Sequence, residues 1–142
     1  IDKKLFSVTA DPTQPFQQPI KKAIVPYGDF SPLHNALAHL KVTVEALGEK
    51  SLVSLTSKGT LNDKLMHAEQ VLTFASGLPR RGWYRHQIYA PGFYTGYGVK
   101  TLPGVREAIE QENWEECQSQ VTILATTLQN FDAHLQSILV LN

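Results

Sequence analysis

Little in this sequence can stitch the chain together, charge it or anchor it. A single cysteine, Cys117, excludes an intrachain disulfide. No apolar run approaches the ~20 residues of a membrane span. None of Asn35, Asn62, Asn113, Asn130 or Asn142 opens an Asn-x-Ser/Thr acceptor, so N-glycosylation is not expected. Paired cysteines and a His-Glu-x-x-His pattern are both missing, so no metal site is expected within the chain. Charged residues make up 18%, against ~25% in an average domain. The 13 basic and 13 acidic side chains cancel, so neither nucleic acid nor an anionic membrane surface is expected as partner. Methionine occurs once, at Met66, and the chain begins at Ile1. A domain excised from a longer protein is therefore expected.

What is present suits one domain. A length of 142 residues can bury a small core. Hydrophobic residues reach 42%. With so few charges, either one face packs against another body, or the surface is made polar by Ser, Thr and Gln. No internal repeat or low-complexity tract interrupts the chain.

Periodicity predicts helices. Residues 1–28 carry Pro12, Pro15, Pro19 and Pro26 and read as an irregular leader, with room for a short helix around Ile20–Val25. From there, residues 29–142 read as one helical domain. Ser31-Pro32 reads as a helix start. Leu33, Leu37, Leu40, Val44 and Leu47 then form one stripe to a stop at Gly48. Ser51–Thr60 reads as a connection. Leu61, Leu65, Ala68 and Leu72 mark a second helix, with Thr60 and Asp63 as a weak capping box and Gly77 and Pro79 as its end. Pro103 opens a short third helix that buries Val105 and Ile109. Asn113 and Glu116 cap a fourth. Its seam is Trp114, Cys117, Val121, Leu124, Leu128, Phe131, Leu135 and Ile138, in steps of 3 and 4 throughout. The expected fold is all-α, an antiparallel bundle of three to four helices with a long Gly/Tyr-rich loop before the third.

That loop is the most unusual stretch. Trp83–Val105 reads WYRHQIYAPGFYTGYGVKTLPGV, with Tyr84, Tyr89, Phe93, Tyr94 and Tyr97 among four glycines and two prolines. It is too glycine-rich for a helix and too aromatic for a plain linker. Aromatic rings carried between rigid elements suit a packed functional loop. His86 sits between aromatics and reads as a loop-ordering side chain, through its two ring nitrogens. Tyr89 is placed with it. His34, His39, His67 and His134 read as solvated or hydrogen-bonded. Cys117, on the seam, reads as an inert core thiol. Arg80, Arg81 and Arg85 either hold an anionic group or lie on a solvated turn and cap helix carbonyls.

Three blocks also carry a family resemblance. YRHQIYAP with its Gly/Tyr loop and LPGVREAI, LNDKLMHAEQVL at Leu61–Leu72, and WEECQSQVTILATTL at Trp114–Leu128 occur in order and at fitting spacing. From about Asp29 to Leu135 the chain resembles the transferrin-receptor-like dimerisation domain, the C-terminal helical domain of the glutamate carboxypeptidase II and transferrin receptor family. The resemblance implies a parent with a peptidase domain, which carries zinc where catalysis survives, and an apical domain. It implies homodimer formation and one wall of a substrate cleft, in a parent associated with a membrane or vacuole, the domain lying on the luminal or extracellular side. No catalytic residue is assigned within this chain, and no cofactor.

In the carboxypeptidase branch of that family a Lys-Tyr pair in this loop grips the substrate's terminal glutamate. Here the tyrosine falls on Tyr97 and the lysine position on Gly96, so the resemblance makes Tyr97 a substrate-binding residue without its cation. The alternative is that Tyr97 packs the loop onto the bundle. Tyr27-Gly28-Asp29 lacks the arginine of the Arg-Gly-Asp used by the transferrin-binding branch. A dimer face would need apolar residues off the helix seams. Val42, Leu52, Val53, Leu55 and Ile123 are the candidates. An independent helical bundle, alike by coincidence, ranks last, because it must account for three ordered matches.

Overall fold

Helix-forming stripes and one long seam account for most of the architecture. The computed structural model describes residues 10–15, 24–50 and 58–141. Among these, α1 spans Ser31–Glu49, α2 Lys58–His67, α3 Pro103–Glu110 and α4 Trp114–Leu139. A 3-10 turn at Glu69–Leu72 extends α2. Two short strands, β1 at Tyr89–Pro91 and β2 at Val99–Thr101, pair antiparallel ahead of α3. The described residues are thus mostly helical, with four α-helices as expected, and add a small two-stranded sheet that the all-α reading did not include.

Helix α4 is the central rod, touched by α1, α2, α3 and the 3-10 turn. Its start follows from Asn113, whose Oδ1 accepts the Glu116 N–H at 3.1 Å. Glu115 and Glu116 add negative charge where the helix dipole favours it. Along the seam Cys117, Val121, Leu124, Leu128, Leu135 and Ile138 are buried, and Trp114 and Phe131 half-buried. Gln120, Ala125, Thr127 and Asp132 are buried beside them, so the covered face is broader than one seam.

Helix α1 turns a different face inward than the stripe predicts. Ala36 and Thr43 are buried, and Leu33, Leu40 and Leu47 pack beside the core. Leu37 and Val44 stay 47% and 51% exposed. The small Ala36 and Thr43 let the two rods approach closely, which rolls the two larger residues to the rim. The start also differs. Asp29 Oδ1, not the Ser31 hydroxyl, takes an orphan amide, that of Ser31, at 2.9 Å. Gly48 lies inside the helix, which ends at the extended Lys50.

The antiparallel expectation fails for α1 against α4. At one end Gln118 brackets Asp29, accepting its N–H at 2.9 Å and donating to its carbonyl at 2.8 Å. At the other end Lys50 Nζ donates to the Leu139 and Leu141 carbonyls at 2.5 and 2.6 Å. Head meets head and tail meets tail, so the two rods run parallel. Lys50 thereby satisfies carbonyls that α4 leaves open. Helices α2 and α3 do run against α4. Leu61 meets Leu135 and Ile138, while Leu72 reaches the cluster around Leu128. For α3 the short turn into α4 forces the reversal, whereas α2 is joined to α4 only through the long arm and α3. No such turn joins α1 to α4.

Smaller departures follow the same logic. Helix α2 begins at Lys58, before Thr60, so Thr60 is no cap. Its α-helical turns stop at His67, and Leu65 and Met66 face solvent. In α3 Val105 is buried as expected, but Ile109 is largely exposed and Ala108 and Glu107 take the inner positions. A Cβ on Gly104 would come within 2.3 Å of Gln120 Oε1, so glycine there permits α3 to lie close on α4. Asp11–Gln14 forms a turn, and residues 24–30 are neither helix nor strand. Most of the expected Ile20–Val25 helix, and Leu52, Val53 and Leu55, lie outside the described residues. Among the described residues no helix is long and apolar enough to cross a membrane.

Candidate functional site

Between the 3-10 turn and α3 the chain builds an arm, not a plain loop. The Phe74 N–H donates to Arg85 O at 2.9 Å, Leu78 N–H to Tyr84 O at 2.8 Å and Gln87 N–H to Leu72 O at 2.9 Å. These bonds fold Thr73–Gln87 back on itself. The turn at Leu78–Arg81 carries Pro79 second and Arg80, at φ +62°, third, closed by the Arg81 N–H to Leu78 O at 3.1 Å. Proline then a left-handed residue is the pattern of a type II turn. Gly77, at φ +67°, is required: a Cβ would lie 2.2 Å from Gly82 O.

A buried ion pair pins this arm to the bundle. Arg81 Nη2 donates to both Glu107 carboxylate oxygens at 2.7 Å. The residues are only 3% and 2% exposed. Arg81 Nη1 also donates to Pro91 O, and the Phe93 N–H to Glu107 Oε1 at 2.8 Å. The Tyr84 and Phe93 rings each lie 5.6 Å from the Arg81 guanidinium carbon. One carboxylate on α3 therefore holds both the 78–84 turn and the 91–93 corner. The pair meets its charge and most of its hydrogen-bonding groups, with Arg81 Nε alone left buried and unbonded in it. Beside it, Arg80 grips Glu116 with two bonds of 2.7 and 2.9 Å. Of the two readings of the arginine cluster, Arg80 and Arg81 thus hold carboxylates of the chain itself. Arg85 is exposed.

His86 and Tyr89 come together. His86 Nδ1 accepts the Ile88 and Tyr89 N–H groups, each at 3.3 Å. The two rings lie 4.1 Å apart. The Tyr89 hydroxyl donates to Glu69 Oε1 on the 3-10 turn, and that carboxylate raises the phenol above its ordinary pKa, chiefly through the hydrogen bond. His86 Nε2 is 3.7 Å from the same oxygen, buried and without a hydrogen bond of its own.

Past β1 the hairpin closes through the Gly92 N–H to Gly98 O at 2.9 Å and the Gly96 N–H to Gly92 O at 3.0 Å. Gly96 takes φ +62°. Tyr97 follows it and is fully exposed, so it does not pack the arm onto the bundle. Trp83, Tyr94 and Val99 are also mostly in solvent. Lys100 is not. Its Nζ contacts Glu110 Oε2, and Arg106 Nε donates to the other oxygen at 3.1 Å. Lys100 first, then Arg106, hold the Glu110 carboxyl below its usual range.

Elsewhere the chemistry is sparse. His67 Nδ1 lies 2.7 Å from Asp63 O, and His134 Nε2 2.9 Å from Lys64 O. Among the described residues no three His, Cys, Asp or Glu side chains gather as metal ligands. Burial pushes the Cys117 thiol up. The described residues also form apolar grooves, among them one of about 390 Å³ walled by Tyr27, Phe30, Ile109 and Trp114 and another of about 300 Å³ between Leu37, Leu72, Ile88 and Phe131. Sequence reasoning missed Glu107, Glu69 and Glu110, the acids that fix the arm. Glu107 and Glu69 lie 26 and 20 residues from the Arg81 and Tyr89 groups they hold, and no local spacing marks them; Glu110 lies 10 from Lys100, though its i,i+4 spacing to Arg106 is local.

Comparison with known proteins places this geometry. The family model described as the transferrin receptor-like dimerisation domain matches residues 28–136. The Probable glutamate carboxypeptidase LAMP1 of Arabidopsis thaliana is 34% identical over 115 residues, covering 76% of this chain and 16% of that protein. Aminopeptidase NAALADL1 of Mus musculus is 30% identical over 118 residues, 73% of this chain and 15% of its own length. TRE2 of Saccharomyces cerevisiae, which carries the name of a zinc metalloprotease, is 30% identical over 88 residues, 56% of this chain and 11% of its own. The chain thus spans about one sixth of the length of the first two.

Proposed function

Since this chain belongs to the transferrin receptor-like dimerisation domain family, we propose that it is the helical interaction domain of a larger, glutamate-carboxypeptidase-like protein and has no catalytic centre of its own. Its partners on this reading are a second copy of the parent and the parent's own peptidase and apical domains. Zinc, where the parent uses it, belongs to the peptidase domain.

The observation that carries the proposal is the arm. Its backbone is pinned by Arg81 and Glu107, yet Trp83, Tyr94 and Tyr97 point their rings into solvent. A fixed backbone with bare aromatics suits a surface made to meet another body. For self-association, Val42 and the rim residues Leu37 and Val44 offer exposed apolar surface on α1, and a stable dimer needs ~800 Å² from each partner. Sedimentation of the full-length gene product tests this part. A dimer that Val42→Asp dissociates is expected. A strict monomer at high micromolar concentration would count against it.

A second role is favoured by Tyr97 itself. Full exposure at a glycine-hinged tip lets the phenol complete the wall of a peptidase cleft and donate a hydrogen bond to substrate. His86 and Tyr89 order the arm that presents it. In an active parent, Tyr97→Phe is expected to raise KM. Unchanged kinetics would retire this role.

A further inference from the structure

From the arrangement of charges around the arm, and resting on the cleft-wall reading of Tyr97, we infer that the substrate side chain met at this wall is uncharged and that acidic side chains are disfavoured. Residues Pro91–Val99 contain no ionisable cation. The tip offers peptide groups, the Thr95 hydroxyl and the phenols of Tyr94 and Tyr97. A carboxylate brought against these groups sheds water and gains no opposite charge, whereas a neutral amide or an apolar side chain pays little of that penalty.

Three cations near this segment are tied to carboxylates of the chain itself, while Arg85, six residues before Pro91, is exposed on the Thr73–Gln87 limb and outside the tip. Arg80 is spent on Glu116 and Arg81 on Glu107. Lys100, only three residues past Tyr97, is drawn away from the tip. Its side chain is 12% exposed and ends on Glu110. Its stem runs over Gly92, where a Cβ would sit 3.2 Å from Lys100 Cε. A Cβ on Gly92 would meet Thr95 Oγ1 first, at 2.2 Å, and Glu110 anchors the end of the Lys100 side chain. Arg106 shares that anchor, so the cluster around Glu110 carries two cations to one anion and still directs Lys100 toward α3. Glu110 is thus a positioning residue that keeps the wall neutral.

The test uses the full-length gene product with three matched peptides ending in glutamate, glutamine or leucine, read by hydrolysis and, independently, by calorimetric binding. Glutamine and leucine are expected to exceed glutamate at least tenfold in kcat/KM and in affinity. Gly96→Lys has open space but sits at φ +62°, which strains any side chain, so its folding is checked by thermal unfolding; it is expected to move the glutamate-to-glutamine ratio about tenfold toward glutamate, through KM. Glu110→Gln, which frees Lys100, is expected to move it the same way by less. A wild-type preference for glutamate, with Tyr97→Phe still weakening binding, overturns the inference and leaves the cleft-wall reading standing. A ratio indifferent to both variants also overturns it. If all three peptides are neither cleaved nor bound, the cleft-wall reading falls, and the inference with it.

Discussion

Along α4 most of the residues that leave solvent are apolar, Val121, Leu124, Leu128 and Ile138 among them, with Gln120, Thr127 and Asp132 the buried polar ones. Along Thr73–Thr101 they are Arg81 and Gln87, with Leu78 and Ala90 the only fully buried apolar side chains. The rod is held by apolar area, a force without direction. The arm is held by directed bonds between a few polar groups, which act at fixed points. The difference explains why one segment covers its large side chains and the other leaves Trp83, Tyr94 and Tyr97 bare. An arm that relied on its aromatic rings for its shape could not also present them.

Five experiments can break or sharpen that contrast. The largest effect is expected at the pin. Glu107→Ala strands a buried guanidinium, and loss of one partner typically costs ~3–5 kcal/mol. Denaturant unfolding should show it. The double variant Arg81→Met with Glu107→Leu should recover part of the loss, and a double variant no better than the single would refute a pairwise pin. Leu124→Ala should cost about 3 kcal/mol through the cavity it leaves. It should loosen the whole domain, whereas the Glu107 variant should raise amide exchange first around Phe93 and Tyr84.

A smaller effect is expected at His86. His86→Phe keeps the ring against Tyr89 but removes the acceptor of two long amide bonds, worth about 1 kcal/mol. Exchange at the Ile88 and Tyr89 amides should quicken while α4 is unchanged. Unaltered exchange there would strip His86 of its ordering role. Tyr97→Phe should leave stability within about 0.5 kcal/mol, because nothing in this domain covers the ring. A larger loss would mean that the tip supports the fold.

Acid should separate the regions too. The folded pKa of Glu110 is lowered, so what its contact with Lys100 contributes is complete above the ordinary carboxyl range and fades as pH drops through the lowered value. An NMR titration should find Glu110 and Lys100 signals moving together only below that ordinary range, with the α4 seam unaffected. Signals that move at neutral pH would contradict the contact.

Much of α4 was legible, because a helix repeats a local geometry and the 3- and 4-residue steps from Trp114 to Ile138 report it directly. The Asn113 start was legible for the same reason. Helix α1 was legible as a helix but not in its rotation: leucine and valine marked the stripe, while closeness of approach favoured Ala36 and Thr43. The arm was legible as unusual, and Tyr97, His86 and Tyr89 stood out by type. Glu69, Glu107 and Glu110 did not, since an acid near the surface of a helix is the commonest thing a sequence contains.

By itself, then, the sequence determined where helices form, which side of α4 is covered and that residues 83–105 depart from the pattern, all consequences of residues within a few positions of one another. Only the tertiary structure decided that α1 runs parallel to α4, that Arg81 meets Glu107 and that Lys100 turns from the tip. These depend on groups ten or more residues apart whose meeting is chosen by packing of the whole chain, and no local period encodes it.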